Sequence, residues 1–325
     1  MPAAEFDTAH LKVARAATHA KELANIWNEY LEPHPFDHNL RSTGPGEWIL
    51  CVTQERPVPA ELSIVFGEWL FDLRSALDSL LWATAVHTSR MDPPPGESQL
   101  QYPIYDTREA WDSNLRRLRP LAEHHQAMLL QMQPFNSPDP DANFLGWINR
   151  LARIDRHRRM TVATARVAVF EPVMEAVGAK VIEAHWGERV FRNGYCDVFR
   201  IRVDEPSASI RVNPRLGIDP DIEEWSASPF WGKQRFSRRM QMLQIFVQAE
   251  VALYEYDCTG ESRGWDVISD NFRDESDKRR AGRTLAPIAN LPRPQVEWMP
   301  AGQPLPSTAE RLGGHDFPAH GTSLL

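Results

Sequence analysis

Cysteine is scarce in this chain. There are three in 325 residues, Cys51, Cys196 and Cys258, far apart and odd in number. They fit no disulfide framework and no zinc-ligand spacing, so free thiols in a reducing compartment are expected. Long apolar runs are missing too. The N-terminus MPAAEFDTAHLKVARAA has no stretch suited to a signal peptide, and LSIVFGEWLFDL is broken by Glu68 and Asp72. No membrane partner is expected, and the cytoplasm is the expected location. An excess of basic charge is also absent: the net charge is −8 and the pI about 5.8, which argues against wholesale coating of nucleic acid. The chain has no Gly-rich phosphate loop, no HExxH and no nucleophile elbow, so no cofactor and no metal are expected. His34 and His38 have a ligand-like spacing, but Pro33 and Pro35 break the helix that would aim both at one ion. His124 and His125 are helix neighbours, which point in different directions, and they are expected at the surface.

What is present is a large apolar inventory, 42% hydrophobic with 11 Trp, enough to bury a sizeable core. From Asp7 to Leu31, Val13, Ala16, Ala20, Leu23, Trp27 and Tyr30 recur at helical spacing. Glu47–Gln54 reads as a strand. A helix over about Ala60–Ser89 carries Leu62, Phe66, Trp69, Leu73, Leu77 and Leu80 on one stripe and Phe71 and Trp82 opposite, the pattern of a helix buried nearly all round. Shorter helices are predicted near 107–119 and 121–133, and a longer one over about 141–160 with the stripe Phe144, Trp147, Ile148, Leu151 and Ile154. Period-two segments follow at 161–170, 180–185, 188–192, 195–203 and 209–212, with a type I′ hairpin signal at Asn193-Gly194. A last helix covers about 236–256. Beyond Cys258 the composition turns charged, then rich in Pro and Gly, as in a tail with little to bury. The expected fold is α+β: a helical bundle over residues 1–258 packed as one unit with an antiparallel meander at about 161–213, and a poorly ordered tail over 259–325.

The informative residues are charges in apolar surroundings. Arg74 and Asp78 lie four apart on the central helix, flanked by Leu70, Phe71, Leu81 and Trp82. Asp155 follows Leu151 by four and Ile148 by seven, in the middle of an apolar stripe, and Arg158 follows it by three. A buried carboxylate is costly unless paired, so an inter-helix network is expected in which Asp155 meets Arg74 or Arg158 and Asp78 takes the remaining arginine. Such a network either fixes helix register or lines a polar pocket. The other face of the same helix carries a basic strip, Arg150, Arg153 and Arg156, with His157 able to exchange protons near neutral pH. It is either a solvated face or a contact for phosphate.

The succession LRSALDSLLW (73–82), YPI (102–104), LQMQPF (130–135) and INRLARIDRHRR (148–159) resembles a family of bacterial and phage proteins with no assigned activity. Arg156 stands where that family usually has lysine, and Ser79 where histidine often follows the aspartate. The resemblance, over about residues 60–160, implies a shared fold with Arg74, Asp78, Asp155 and His157 as signature positions. Arg150 and His157, six residues between them, also resemble the Arg-x(4–6)-His motif of HEPN-type helical domains, many of them ribonucleases. Leu151 departs from the polar residue usual after that arginine. The leading expectation is a non-enzymatic ligand-binding or interaction protein, with an anionic ligand or RNA at the basic strip. The alternative is a metal-independent HEPN-like ribonuclease with Arg150 and His157 as catalytic candidates. A homo-oligomer is left open.

Overall fold

The computed structural model describes residues 4–157, 164–187, 189–205, 209–263 and 268–282. Arg158, residues 161–163, Glu188 and residues 283–325 lie outside these, as do the side chains of Arg156 and His157. Among the described residues no helix is long and apolar enough to cross a membrane.

Helix α1 (Asp7–Leu31) buries the face read from its spacing, including Val13, Ala16, Leu23, Trp27 and Tyr30. A hairpin of β1 (Phe36–Gly44) and β2 (Glu47–Gln54) leads to the central helix α2 (Glu61–Ser89). α1 and α2 run antiparallel, since Lys12 Nζ meets Ser79 Oγ at 2.8 Å while His19, seven residues on, faces Asp72 at 3.4 Å. Leu62, Phe66, Trp69, Leu73, Leu77 and Leu80 are all buried, but Phe71 is 70% exposed. The expectation of a helix buried all round is thereby corrected: α1 and the later helices cover the other sides of α2, and no element among the described residues covers Phe71.

α3 (Arg108–Asn114) starts at Thr107, whose hydroxyl accepts the Ala110 N–H, and α4 (Glu123–Gln131) follows. α5 (Phe144–His157) lays Leu145, Trp147, Ile148 and Leu151 into the core against α2. Next come β3 (Thr164–Phe170), β4 (Val173–Val177), β5 (Val181–Trp186), β6 (Tyr195–Val203), β7 (Ser209–Asn213) and β8 (Leu216–Asp221). The main sheet is antiparallel in the order β1-β2-β6-β5, while β3 pairs with β8 and β4 with β7. This is not the expected meander. β2 supplies a hydrophobic edge that β6 completes from far along the chain, so the N-terminal hairpin shares one sheet with β6 and β5. Asn193 and Gly194 both have positive φ, 53° and 75°, as a type I′ turn requires.

A short α6 (Glu223–Ser226) precedes the second central helix, α7 (Phe236–Thr259), which packs on α1, α2 and α5 and ends at Gly260 with φ 80°. The charged stretch after it was expected to be tail. Part of it instead forms α8 (Asp270–Arg280), capped by Ser269 and docked on α7. Its anchor is polar: Ser276 is buried and bonds Asp257.

Candidate functional site

Arg74 and Asp78 pair with each other at 2.7 Å and then grip the backbone of Tyr102. Arg74 Nη2 donates to the Tyr102 carbonyl at 2.7 Å, and Asp78 Oδ1 accepts the Tyr102 N–H at 2.9 Å. From the opposite side the buried Gln133 accepts the Tyr105 N–H and donates to the Pro103 carbonyl. The motif segments around Arg74, Tyr102 and Gln133 therefore hold one piece of extended chain on the bundle. The Tyr102 phenol continues inward and donates to Glu250 Oε2 at 2.9 Å. Burial pushes the Glu250 carboxyl up to about 7.

Asp155 does not join this group. Its carboxylate lies against Gly67 of α2, seven residues before Arg74, roughly 10 Å along the helix. A Cβ at position 67 would come within 2.9 Å of Asp155 Oδ1, so glycine is what lets α5 bring a carboxylate onto α2. Of the expected pairings, Asp78 takes Arg74 and Asp155 does not meet Arg74. Arg158 lies outside the described residues. On the outer face of α5, Arg150 and Arg153 are exposed, and the Arg150 guanidinium sits over the Trp147 ring at 4.8 Å.

A set of five cations lines a cleft elsewhere among the described residues. The cleft, of ≈310 Å³, opens between β3, β8 and the N-terminus of α7. Asp219 and Asp221 are two apart on a strand and share a face; Arg235 is the extended N-cap residue of α7, and Arg239 lies one turn into the helix, four residues on. Both repeats span roughly 6–7 Å, so two ion pairs form in register. Arg235 holds Asp219 with two bonds, 2.6 and 3.1 Å, and the same aspartate accepts the Phe236 N–H, capping α7. Arg239 meets Asp221 at 2.9 Å, each side chain 1% exposed, beneath the Trp225 ring. Burial lowers the Arg239 pKa, and Asp221 opposes that shift. Ser226 bonds Asp221 and accepts from Arg239 at 3.1 Å and from Arg166 at 3.3 Å.

Among the described residues, two carboxylates thus neutralise two of the five cations lining the cleft, leaving Arg166, Arg189 and Lys233 in excess. Arg166 Nε is buried and takes no hydrogen bond among the described residues. Arg189 lies over Trp186 at 5.0 Å, which holds its side chain at the rim. Sequence reasoning missed this site because β8, LGIDPD, contains Gly, Pro and two Asp and does not read as a strand. The usable signal was the pairing of D-x-D with R-x-x-x-R.

The histidine pair also departs from expectation. His125 is 3% exposed, and it and His124 both direct Nε2 at one oxygen, Asp257 Oδ2, at 3.0 and 2.8 Å. Adjacent residues on a helix converge here because their ring centroids tilt together at 4.0 Å against α7. Burial would raise the Asp257 carboxyl, but hydrogen bonds from His124 and His125 dominate and hold it far below the usual carboxylate range. Compared with protein-family models, with curated proteins and with solved structures, the chain finds no match.

Proposed function

We propose that the protein is a non-enzymatic ligand-binding protein whose site is the arginine-lined cleft and whose ligand presents a phosphate group. The observation that carries this is the surplus of Arg166, Arg189 and Lys233 around a cleft in a chain of net charge −8. Guanidinium groups give planar forks of donors that match phosphate oxygens, and the N-terminus of α7 adds the positive end of a 24-residue helix. The lining offers donors, and its two carboxylates are already committed to arginines. That favours holding an anion over transforming it. The anion contact expected from the sequence at Arg150, Arg153 and Arg156 is better supported here, where cations converge, than on the exposed face of α5.

Calorimetric titration with pyrophosphate in low salt tests the reading. Binding is expected for wild type. Arg166→Gln or Arg189→Gln should weaken it about 10- to 100-fold, the loss of one charge-assisted hydrogen bond. Arg153→Gln, on the exposed face of α5, should leave it unchanged. No binding by wild type, or equal binding by the Arg166 and Arg189 variants, overturns the reading.

A further inference from the structure

We propose that His124, His125 and Asp257 form a binding site for a divalent transition-metal ion of the zinc type, independent of the arginine-lined cleft. The three donor atoms, two imidazole Nε2 and one carboxylate oxygen, lie within 4.8 Å of one another. Zinc held by such a set keeps neighbouring donors roughly 3.3 Å apart, given bonds of about 2.0–2.1 Å at tetrahedral angles. The imidazole-to-carboxylate distances are 2.8 and 3.0 Å, so each imidazole needs to part from the carboxylate by only a few tenths of an ångström.

The surroundings suit an ion. Asp257 Oδ1 is occupied by Ser276 and by Arg279 Nε at 3.0 Å, both from α8, which fixes the carboxylate and leaves Oδ2 as the atom presented to the histidines. Outer partners of this kind orient ligands in metal sites. The two Nε2 atoms that now donate to Asp257 Oδ2 would release their protons as the ion binds, so zinc takes the place of two hydrogen bonds at the same three atoms. His124 is one-quarter exposed and gives an ion a route from solvent. Two imidazoles with one carboxylate select zinc and its neighbours over magnesium or calcium, which take oxygen ligands. The nearby Arg279 disfavours hard cations further, because no surplus of negative charge is available to hold them.

The same residues could serve only to tie α4, α7 and α8 together, and the experiment separates the two roles. Untagged full-length protein, stripped with EDTA, is titrated with zinc in competition with a chromophoric chelator. One equivalent should bind with micromolar or tighter affinity, and cobalt in its place should give the intense visible bands of a low-coordinate site. His124→Ala removes the part-exposed ligand, so the fold should survive, as far-UV circular dichroism will report. It should weaken zinc binding at least tenfold and abolish the cobalt bands. Asp257→Asn, which keeps the side-chain shape, should weaken zinc likewise. Absence of stoichiometric zinc binding, a weak octahedral cobalt spectrum, or wild-type affinity in folded His124→Ala would overturn the proposal and leave a purely structural polar knot.

Discussion

Glu250 is a carboxylic acid enclosed by the bundle, with the Tyr102 phenol as its hydrogen-bond donor at 2.9 Å. Burial raises its pKa from 4.5 to about 7, with the Tyr102 bond opposing the rise. The native protein therefore keeps a proton, between pH 4.5 and about 7, that the unfolded chain has released. A carboxyl raised in this way contributes stability that is fully present below the unfolded value and is lost as pH climbs through the folded one. At about 1.4 kcal/mol per pH unit, the gap between 4.5 and about 7 amounts to about 3 kcal/mol. Wild type alone would not show this cleanly, because His125, whose pKa is lowered, changes stability in the opposite direction over part of the window. Glu250→Gln removes the titration while keeping a planar group that can accept from Tyr102. Urea denaturation of both proteins from about pH 4.5 to about pH 8, at matched m-values, gives the difference in stability as a function of pH. The variant should gain about 3 kcal/mol on wild type across that range, with the change falling between pH 4.5 and about 7 and levelling off above it. A flat difference curve would refute the reasoning, because Glu250 would then ionise as an ordinary exposed carboxyl does.

Asp257→Ala should cost about 3–5 kcal/mol, because Arg279 is left in a buried site without its carboxylate, and amide exchange in α8 should accelerate most. The contribution of the Asp257 charge is present above about pH 3.8 and is lost on acidification below it, since its folded pKa is depressed. Gly67→Ala should destabilise by about 1–3 kcal/mol despite alanine's better helix propensity, because the new methyl meets Asp155. In an Asp155→Ala background the same change should become neutral or stabilising, which a double-mutant cycle by chemical denaturation will read. Phe71→Ser should change stability by under about 0.5 kcal/mol, whereas Phe66→Ala on the buried face of α2 should cost about 3–5 kcal/mol in the same assay.

The long amphipathic helices were legible because each must bury a stripe, and burial imposes a period. α1 spans the predicted Asp7–Leu31, α2 begins one residue after its predicted start, and β2 and β6 span Glu47–Gln54 and Tyr195–Val203 as read. β1, β4 and β8 escaped notice, and two of them are stabilised by something other than an apolar face. β1 (FDHNLRSTG) is an edge strand, largely exposed, that owes its conformation to its ladder with β2. β8 is held by pairing with β3 and by two arginines. The site residues divide the same way. Arg74 and Asp78 were found as a pair because i,i+4 spacing on one helix is local information. Their true partner, the Tyr102 backbone, comes from an extended segment with no periodicity. His125 looked exposed because an adjacent pair says nothing about a carboxylate 132 residues away on α7. α8 read as tail because its docking rests on polar anchors, Ser276 and Arg279, and not on an apolar stripe.

The claim that the cleft of Arg166, Arg189 and Lys233 receives a phosphate group is tested most directly by locating a phosphate-like anion in it. Crystals of the full chain soaked in tungstate, and measured at the tungsten edge, report anion positions without assuming a ligand. The account predicts the strongest anomalous peak inside the cleft, within hydrogen-bonding distance of the Arg166 guanidinium and beside the first turn of α7. A strongest peak on the exposed face of α5 near Arg150 and Arg153, or an empty cleft at tungstate concentrations that occupy other surface arginines, would contradict it.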